Sequence, residues 1–352
     1  MRRVLAAAAA ALVTLLVAAG PMLACGGLIG PNGAVNLLRT TTLAGYHDGV
    51  EHYVTAFSFA GGGGRFGSIV PLPGIPTSVE RGGDWTLQRL GRETEPFRAF
   101  ALGAVLAPAS DQSVEVLLET KVDALDITVL RGGGAAVGAW ATEHGFRLPP
   151  DAPEVLDFYA SRSPIFLAAS FDADAAAARG QQIGDGTPVH ITIPTDNPWV
   201  PLRILGLGKS DADIVEADVY LLTDTRPAIF PNPAFAGLRV DYDQPASDLL
   251  LADLRSDKGM GWVPERAWLT RIGIDISPRL LTYDLAVDAS GQGRPSVVAA
   301  GLVQNPFQVG ALFPADGDDG IWHWISALFF IISGGGFIVW LLGSHPSAFR
   351  PQ

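Results

Sequence analysis

Residues 37–59 read LLRTTTLAGYHDGVEHYVTAFSF, a stretch rich in β-branched and aromatic residues that contains one strong turn signal. That signal is Asp48-Gly49, because aspartate and glycine both tolerate the positive φ angles that a two-residue hairpin turn requires. The stretch therefore predicts two antiparallel strands joined at this dipeptide. We expect the rest of the fold to be built outward from this hairpin.

Short strand patterns recur along the rest of the chain and outnumber the helix patterns. They lie at 66–70, 113–120, 125–130, 165–171, 189–193, 200–205, 214–222, 238–242, 269–276 and 280–287. Helix patterns follow Asp84, end at His144-Gly145, follow Asp151 and cover 248–255. Strands with a helical insert predict an α+β fold of mostly antiparallel strands, not a doubly wound parallel sheet.

The amino end has the build of a secretory signal peptide. Arginines at positions 2 and 3 precede an apolar run over 4–19, and a Gly-Pro pair then breaks that run. This order of a positive, an apolar and a breaking region is typical of a cleaved leader. We expect cleavage after Ala24, which makes residues 1–24 the leader.

Cys25, the first residue after this predicted cut, is the only cysteine of the 352 residues. An exported domain with one cysteine has no internal disulfide. The preceding residues also resemble a lipobox, in which a lipid is attached to the cysteine. Two interpretations of Cys25 remain open: a lipidation site, or a solitary thiol at the mature amino terminus.

The carboxyl end predicts a membrane anchor. The 22 residues from Ile321 to Leu342 carry no formal charge, and as a helix they would span about 33 Å, roughly one hydrocarbon core. An acidic spacer at 316–320 precedes this span, and a tail at 343–352 with one arginine follows it. The leader and the tail arginine place the tail in the cytoplasm. We expect a single-pass cell-membrane protein whose domain, 25–315, lies outside.

The charge of this domain argues against two classes of partner. All 36 acidic residues lie between the two apolar ends, against 21 of the 24 basic ones, which gives a net charge of about −15. Such a surface disfavours nucleic acid and anionic lipid. No motif for a cofactor is present, and the nucleophile elbow of α/β-hydrolases is missing.

Several segments, taken in order, resemble one family of exported bacterial proteins. The cues are Cys25-Gly26-Gly27, the hairpin at Asp48-Gly49, FGSIVPLPGIP at 66–76, LDITVL at 125–130, AW at 139–140 with HGFRLP at 144–149, VLDFY at 155–159 and NPWVPLR at 197–203. This ordered set is similar to the family called domain of unknown function 2330. The resemblance implies secretion and frequent membrane attachment, and it implies no activity and no catalytic residues.

His47 and His52 are the sequence's candidate metal ligands. In the predicted hairpin register His47 faces Val50, and His52 lies diagonally from it on the same face of the sheet. Two imidazoles placed in this way can approach one metal ion, although no third ligand is in sight on that face. The alternative is that both are polar residues near the exposed end of a hairpin.

Trp199 and Arg203 are the candidate binding residues. They belong to the segment NPWVPLR, in which two prolines flank an aromatic residue and precede an arginine. A rigid display of this kind suits contact with a ligand or a partner protein. The alternative is that Trp199 packs in the core and Arg203 forms a salt bridge.

Two functions remain open from the sequence. The first is a non-catalytic surface module that binds another envelope protein or a ligand. The second is an extracytoplasmic hydrolase that acts on envelope material, with or without a metal, and it requires convergent carboxylates or histidines in a cleft. The missing motifs favour the first, because natural active sites gather titratable groups.

Overall fold

The predicted hairpin forms the middle of a large sheet. The computed structural model describes residues 22–23, 27–30, 33–34, 39–57, 67–94, 115–171, 187–288 and 295–301. Asp48 and Gly49 have φ angles of 51° and 77°, which are the values that a tight hairpin turn requires. His47 pairs with Val50, so the predicted register of the hairpin is confirmed.

The described strands alternate with a few helices. The strands are β1 (Met22–Leu23), β2 (Gly27–Gly30), β3 (Gly33–Ala34), β4 (Arg39–His47), β5 (Val50–Phe57), β6 (Gly67–Pro71), β7 (Ser78–Arg81), β8 (Glu115–Val122), β9 (Leu125–Arg131), β10 (Ile165–Phe171), β11 (Thr187–Pro194), β12 (Trp199–Val200), β13 (Val215–Thr223), β14 (Ala228–Phe230), β15 (Leu238–Pro245), β16 (Trp268–Ile276) and β17 (Leu285–Asp288). The α-helices are α1 (Thr86–Thr94), α2 (Gly134–Glu143), α3 (Ala152–Ala160), α4 (Pro233–Ala236) and α5 (Asp248–Ser256). Short 3₁₀ turns occur at Arg203–Gly206 and Pro278–Leu280.

These strands form three sheets. The first has the order β15-β16-β13-β4-β5-β11-β7 with β1 beside β4, the second β3-β2-β6-β10-β9-β8, and the third β12-β17-β14. Antiparallel pairs dominate, while β4 pairs in parallel with β13 and with β1. The fold is therefore mixed α+β, rich in strands and built on antiparallel sheets, as the sequence predicts.

Each face of the first sheet contributes to a different core. Tyr53, Ile191 and Val219 on one face join the core that also contains the second sheet and helices α2 and α3. Leu43 and Val54, on the opposite face, pack with helices α1 and α5 in a second core. Successive strand residues point to opposite faces, so covering both faces explains why β5 has buried residues on each of them.

Two predicted strands are wrong in their bounds. The segment 200–205 is a short strand at Trp199–Val200 followed by a 3₁₀ turn, and 280–287 begins with the end of another 3₁₀ turn before β17. In the first case the backbone N–H groups of Leu202 and Arg203 donate to the side chain of Asp284. Amides used in this way are lost to a strand ladder, so the chain turns instead.

Several predicted features lie outside the described residues. They are positions 1–21 of the leader, Cys25, the spacer 316–320, the span from Ile321 to Leu342 and the tail 343–352. Within the residues that are described, no helix is long and apolar enough to cross a membrane. Met22 and Leu23 form β1, which pairs with Arg39 and Thr40 of β4. Cleavage after Ala24 would remove this strand, and the position of the cut stays a prediction.

Candidate functional site

The sheet brings together two histidines from different strands. His52 in β5 lies opposite Gly45 of β4, and His190 in β11 lies opposite Val54, two positions along from His52. Residues two apart on a strand share a face, so the two imidazoles are diagonal neighbours on the face that α1 and α5 cover. The Nδ1 atom of His52 lies 2.9 Å from Nε2 of His190.

Trp262 closes over this pair from the connection between α5 and β16. Its indole lies parallel to the His52 ring, with centroids 4.0 Å apart and an interplanar angle of 1°. The opposing strand makes room for the indole at Gly45, where an added Cβ would lie 2.1 Å from Cη2 of Trp262. We call His52, His190 and Trp262 the histidine stack.

Both imidazoles of the histidine stack are held neutral. Burial, and after it the neighbouring His190 and His47, lower the pKa of His52 to about 3. Burial also lowers the pKa of His190 to about 4. At neutral pH one ring nitrogen therefore donates its hydrogen to the lone pair of the other, and neither ring carries charge.

His47 lies apart from this hydrogen-bonded pair. Its Nδ1 is 2.7 Å from Oδ1 of Asp224, and its Nε2 is 3.4 Å from Oδ2 of Asp48. The structure thus pairs His52 with His190 and pairs His47 with carboxylates. Among the residues described, no group of three or more His, Cys, Asp or Glu side chains is arranged to hold a metal ion. A metal site at His47 and His52 stays a prediction.

Trp199 and Arg203 take part in the packing of the fold. Trp199 is 3% exposed, and its ring stacks on Tyr159 of α3 with centroids 5.7 Å apart. Arg203 forms an ion pair with Glu154 and lies over the ring of Phe158, 4.3 Å from its centroid. This geometry matches the packing alternative. A ligand role for the two residues stays a prediction.

Asp284 is the polar centre around which this segment is built. It is fully buried. Its Oδ1 accepts hydrogen bonds from the Tyr159 hydroxyl at 2.8 Å and from the backbone N–H groups of Leu202 and Arg203 at 2.8 and 3.0 Å. Its Oδ2 lies 2.6 Å from Nη2 of Arg162. One carboxylate therefore joins α3, the NPWVPLR segment and the start of β17.

Arg162 completes this buried network. Its guanidinium lies 4.0 Å from the ring centroid of Phe158 and donates to the backbone carbonyls of Phe158 and Ala299. A buried charge is tolerated when it is paired and its remaining donors are hydrogen-bonded. Sequence reasoning missed both Arg162 and Asp284, because nothing in their local sequence shows that positions 122 residues apart meet.

Glu51 is the most unusual carboxyl group of the described structure. It points to the face opposite to His52, lies beside Tyr46 and is 1% exposed. Neither of its oxygens has a hydrogen-bond partner among the described residues. Burial raises the pKa of Glu51 to about 8, although the nearby backbone N–H of Trp199 acts in the opposite direction. The side chain is therefore protonated at neutral pH.

Comparison with protein families supports the resemblance inferred from the sequence. The family model described as "uncharacterized protein conserved in bacteria (DUF2330)" matches residues 20–288. The chain belongs to the DUF2330 family. This match covers every strand and helix described above and assigns no activity to them. A search of curated protein sequences gives no significant match.

Among solved structures, this DUF2330 chain is similar in outline to a baculovirus protein, P35. A mutated P35 after caspase cleavage shares 9% identity, with a TM-score of 0.37 and coverage of 71% of this chain and 98% of that one. Another P35 crystal structure shares 10% identity, with a TM-score of 0.38 and coverage of 71% and 96%. At such low identity and TM-scores the likeness supports no statement about function.

Proposed function

We propose that this DUF2330 chain is a membrane-anchored envelope protein whose domain outside the membrane is a non-catalytic binding module. Its partner would be another envelope protein or an envelope ligand. The proposal rests on one observation: buried charged side chains form ion pairs that hold segments of the fold together. Asp284 and Arg162 join three segments, and Asp218 and Arg271 form a second buried ion pair on the first sheet.

Structural use of these groups argues for a rigid module. A catalytic acid or base must be free to exchange a proton with substrate and must have a pKa near the working pH. Asp284 accepts three hydrogen bonds besides its ion pair, and its neighbour Arg162 is held over Phe158. Buried groups held in this way stabilise the fold and are not free to exchange a proton with a substrate.

The anchoring half of the proposal rests on the two ends of the sequence. A leader over 1–24 exports the domain, the span from Ile321 to Leu342 holds it, and the acidic spacer at 316–320 separates the two. We therefore place the binding surface on the domain outside the membrane.

Membrane anchoring is tested by fractionating cells that express either the full chain or a variant ending at Gly320. We expect the full chain to stay in the membrane pellet after alkaline carbonate extraction, and the shortened chain to appear in the soluble fraction. External protease should digest the domain in spheroplasts. A full chain released by carbonate would contradict the proposal. The mass of the amino-terminal peptide from the same preparation shows whether Cys25 carries a lipid.

A hydrolase remains the second candidate function. One observation favours it, because the histidine stack brings together two titratable side chains whose pKa values are shifted. The test is to incubate peptidoglycan separately with each of four purified full-length proteins. These are the wild type, His52→Asn, His190→Asn and, as a matched control, His144→Asn. His144 also stacks on a tryptophan, Trp140, at 3.8 Å. A binding module releases no soluble fragments with any of the four proteins. Fragments released by the wild type and the control but lost in His52→Asn and His190→Asn would establish the hydrolase.

A further inference from the structure

The two facing imidazoles of the histidine stack have the geometry of a two-coordinate metal site. The centroids of the His52 and His190 rings are 5.1 Å apart, which is only about two ring radii more than the 2.9 Å between Nδ1 of His52 and Nε2 of His190. The rings therefore meet nitrogen to nitrogen, with their planes tilted by 28°. Because the lone pair of an imidazole nitrogen points outward in the ring plane, both nitrogens are directed at the same position between them.

A metal ion can take the place of the hydrogen that bridges the two rings. The hydrogen bond uses a hydrogen on one facing nitrogen and a lone pair on the other. When that hydrogen moves to the far nitrogen of its own ring, both facing nitrogens present lone pairs, both rings stay neutral and no proton is released. Two metal–nitrogen bonds of about 2 Å each then require the nitrogens to move apart by about 1 Å. His52 is the more exposed of the two residues, so it is the ring that can shift and admit the ion.

Trp262 supplies a further contact for a cation at this position. Its ring centre lies 4.0 Å from that of His52 and 6.0 Å from that of His190. As the median of the triangle that these distances form with the 5.1 Å between the imidazoles, the midpoint of the pair lies about 4.4 Å from the indole centre, within the range of about 6 Å over which an aromatic face attracts a cation. The indole is parallel to the His52 ring, so an ion in the plane of that ring lies above the indole plane.

This ligand set selects a soft ion of single charge. Zinc takes three or four protein ligands, and the part of the chain that the structure describes offers no group of three His, Cys, Asp or Glu side chains. Imidazole also suits copper, and copper(I), a d¹⁰ cation, is stable with two nitrogen ligands in a line, as is silver(I). The surroundings favour the smaller charge, because Leu43 and Val54 on the same face of the sheet are buried in an apolar core, where a charge is costly.

We propose that His52 and His190 form a two-coordinate site for copper(I), which Trp262 covers. The site differs from the metal site that the sequence suggests, since His190 takes the place of His47, and His47 is engaged with Asp224 and Asp48. Its ligand is a metal ion, so the site is independent of the membrane anchor and of the envelope partner proposed above.

Metal binding by the full chain in detergent tests this site, after iodoacetamide has blocked any free thiol at Cys25. The probes are silver(I) nitrate in chloride-free buffer and copper(I) kept reduced with ascorbate, and the bound metal is counted after gel filtration. We expect one ion per chain. Its affinity should fall by more than about 100-fold in His52→Asn and in His190→Asn, since even the outer-shell partners of a metal site contribute about 10–100-fold.

His144→Asn is the control for these variants and should bind the ion as the wild type does. The absence of bound silver and copper from the wild type would overturn the proposal. Unchanged affinity in either His52→Asn or His190→Asn would do the same, and so would binding that depends on His47 in place of His190.

A measurement on the wild type alone covers the case in which the variants do not fold. X-ray absorption at the copper edge should show copper(I) with two nitrogen neighbours at about 2 Å. Three or more ligands, or a sulfur neighbour, would exclude the two-coordinate site. Zinc(II) is the third probe, and we expect it to bind more weakly than silver(I) because two ligands do not satisfy it. Zinc bound as tightly as silver would also contradict the proposal.

Discussion

Asp284→Asn is expected to lower the free energy of unfolding by about 3–5 kcal/mol, which is the usual effect of removing one partner from a buried ion pair. The substitution keeps the shape of the side chain and removes its charge. Arg162 is then left buried with no anion, and the new amide NH₂ faces either the guanidinium or the two backbone N–H groups of the NPWVPLR segment. Urea denaturation at neutral pH, followed by tryptophan fluorescence, measures the change.

The matched control is Asp275→Asn. Asp275 pairs with Arg239 at 2.6 Å, the same separation as between Asp284 and Arg162, but both partners are more than 40% exposed. An exposed pair of this kind contributes about 0–1 kcal/mol because water screens it. If the two variants lost equal stability, the argument that burial gives the Asp284 network its importance would be wrong.

Glu51→Gln is expected to stabilise the protein at alkaline pH. Burial raises the pKa of Glu51 to about 8, so the folded state holds this proton more tightly than the unfolded chain does. Stability from this group is complete below about pH 4.5 and is lost as the pH rises toward about 8. An amide cannot ionise, and we expect the free energy of unfolding of the variant to exceed that of the wild type by about 4 kcal/mol at about pH 8.

Unfolding curves of both proteins at a series of pH values give this difference directly. The gain should shrink toward zero near about pH 4.5, where the carboxyl group is protonated in both states. Glu119→Gln, on the exposed strand β8, is the control and should change stability little at any pH. A constant difference between Glu51→Gln and the wild type across the series would show that Glu51 finds a partner for its charge.

Local sequence signals predicted the local structure well. The hairpin turn at Asp48-Gly49 has the positive φ angles that these residues tolerate, and Gly145, with φ of 83°, follows the end of α2 as predicted. Val155 and Tyr159 lie on the buried face of α3, as their spacing indicates. In each case a few neighbouring residues determine the geometry, so a single sequence contains the necessary information.

Contacts between distant segments could not be predicted in this way. Nothing in the local sequence places His190 beside His52, because that contact needs β11 next to β5. The start of α1 shows the same limit. A helix that follows Asp84 in the sequence can use its carboxylate as a cap, yet Asp84 pairs with Arg81. Asp257 instead accepts from the backbone N–H of Trp85 and the hydroxyl of Thr86. Both corrections come from partners more than a hundred residues away.

The parallel pairing of β4 with β13 sets the order in which the chain can fold. Thr40 pairs with Ala217, 177 positions later, so the centre of the first sheet forms only after most of the chain is in place. Pairings this distant slow folding because a long loop must close first. We propose that the chain is exported with its amino end first, so the β4–β5 hairpin would leave the export channel before β13. Until β13 follows, the edge of β4 has no partner strand and is prone to pair with other chains. Release of β13 and β16 from the export channel would then be the step that commits the domain to its structure.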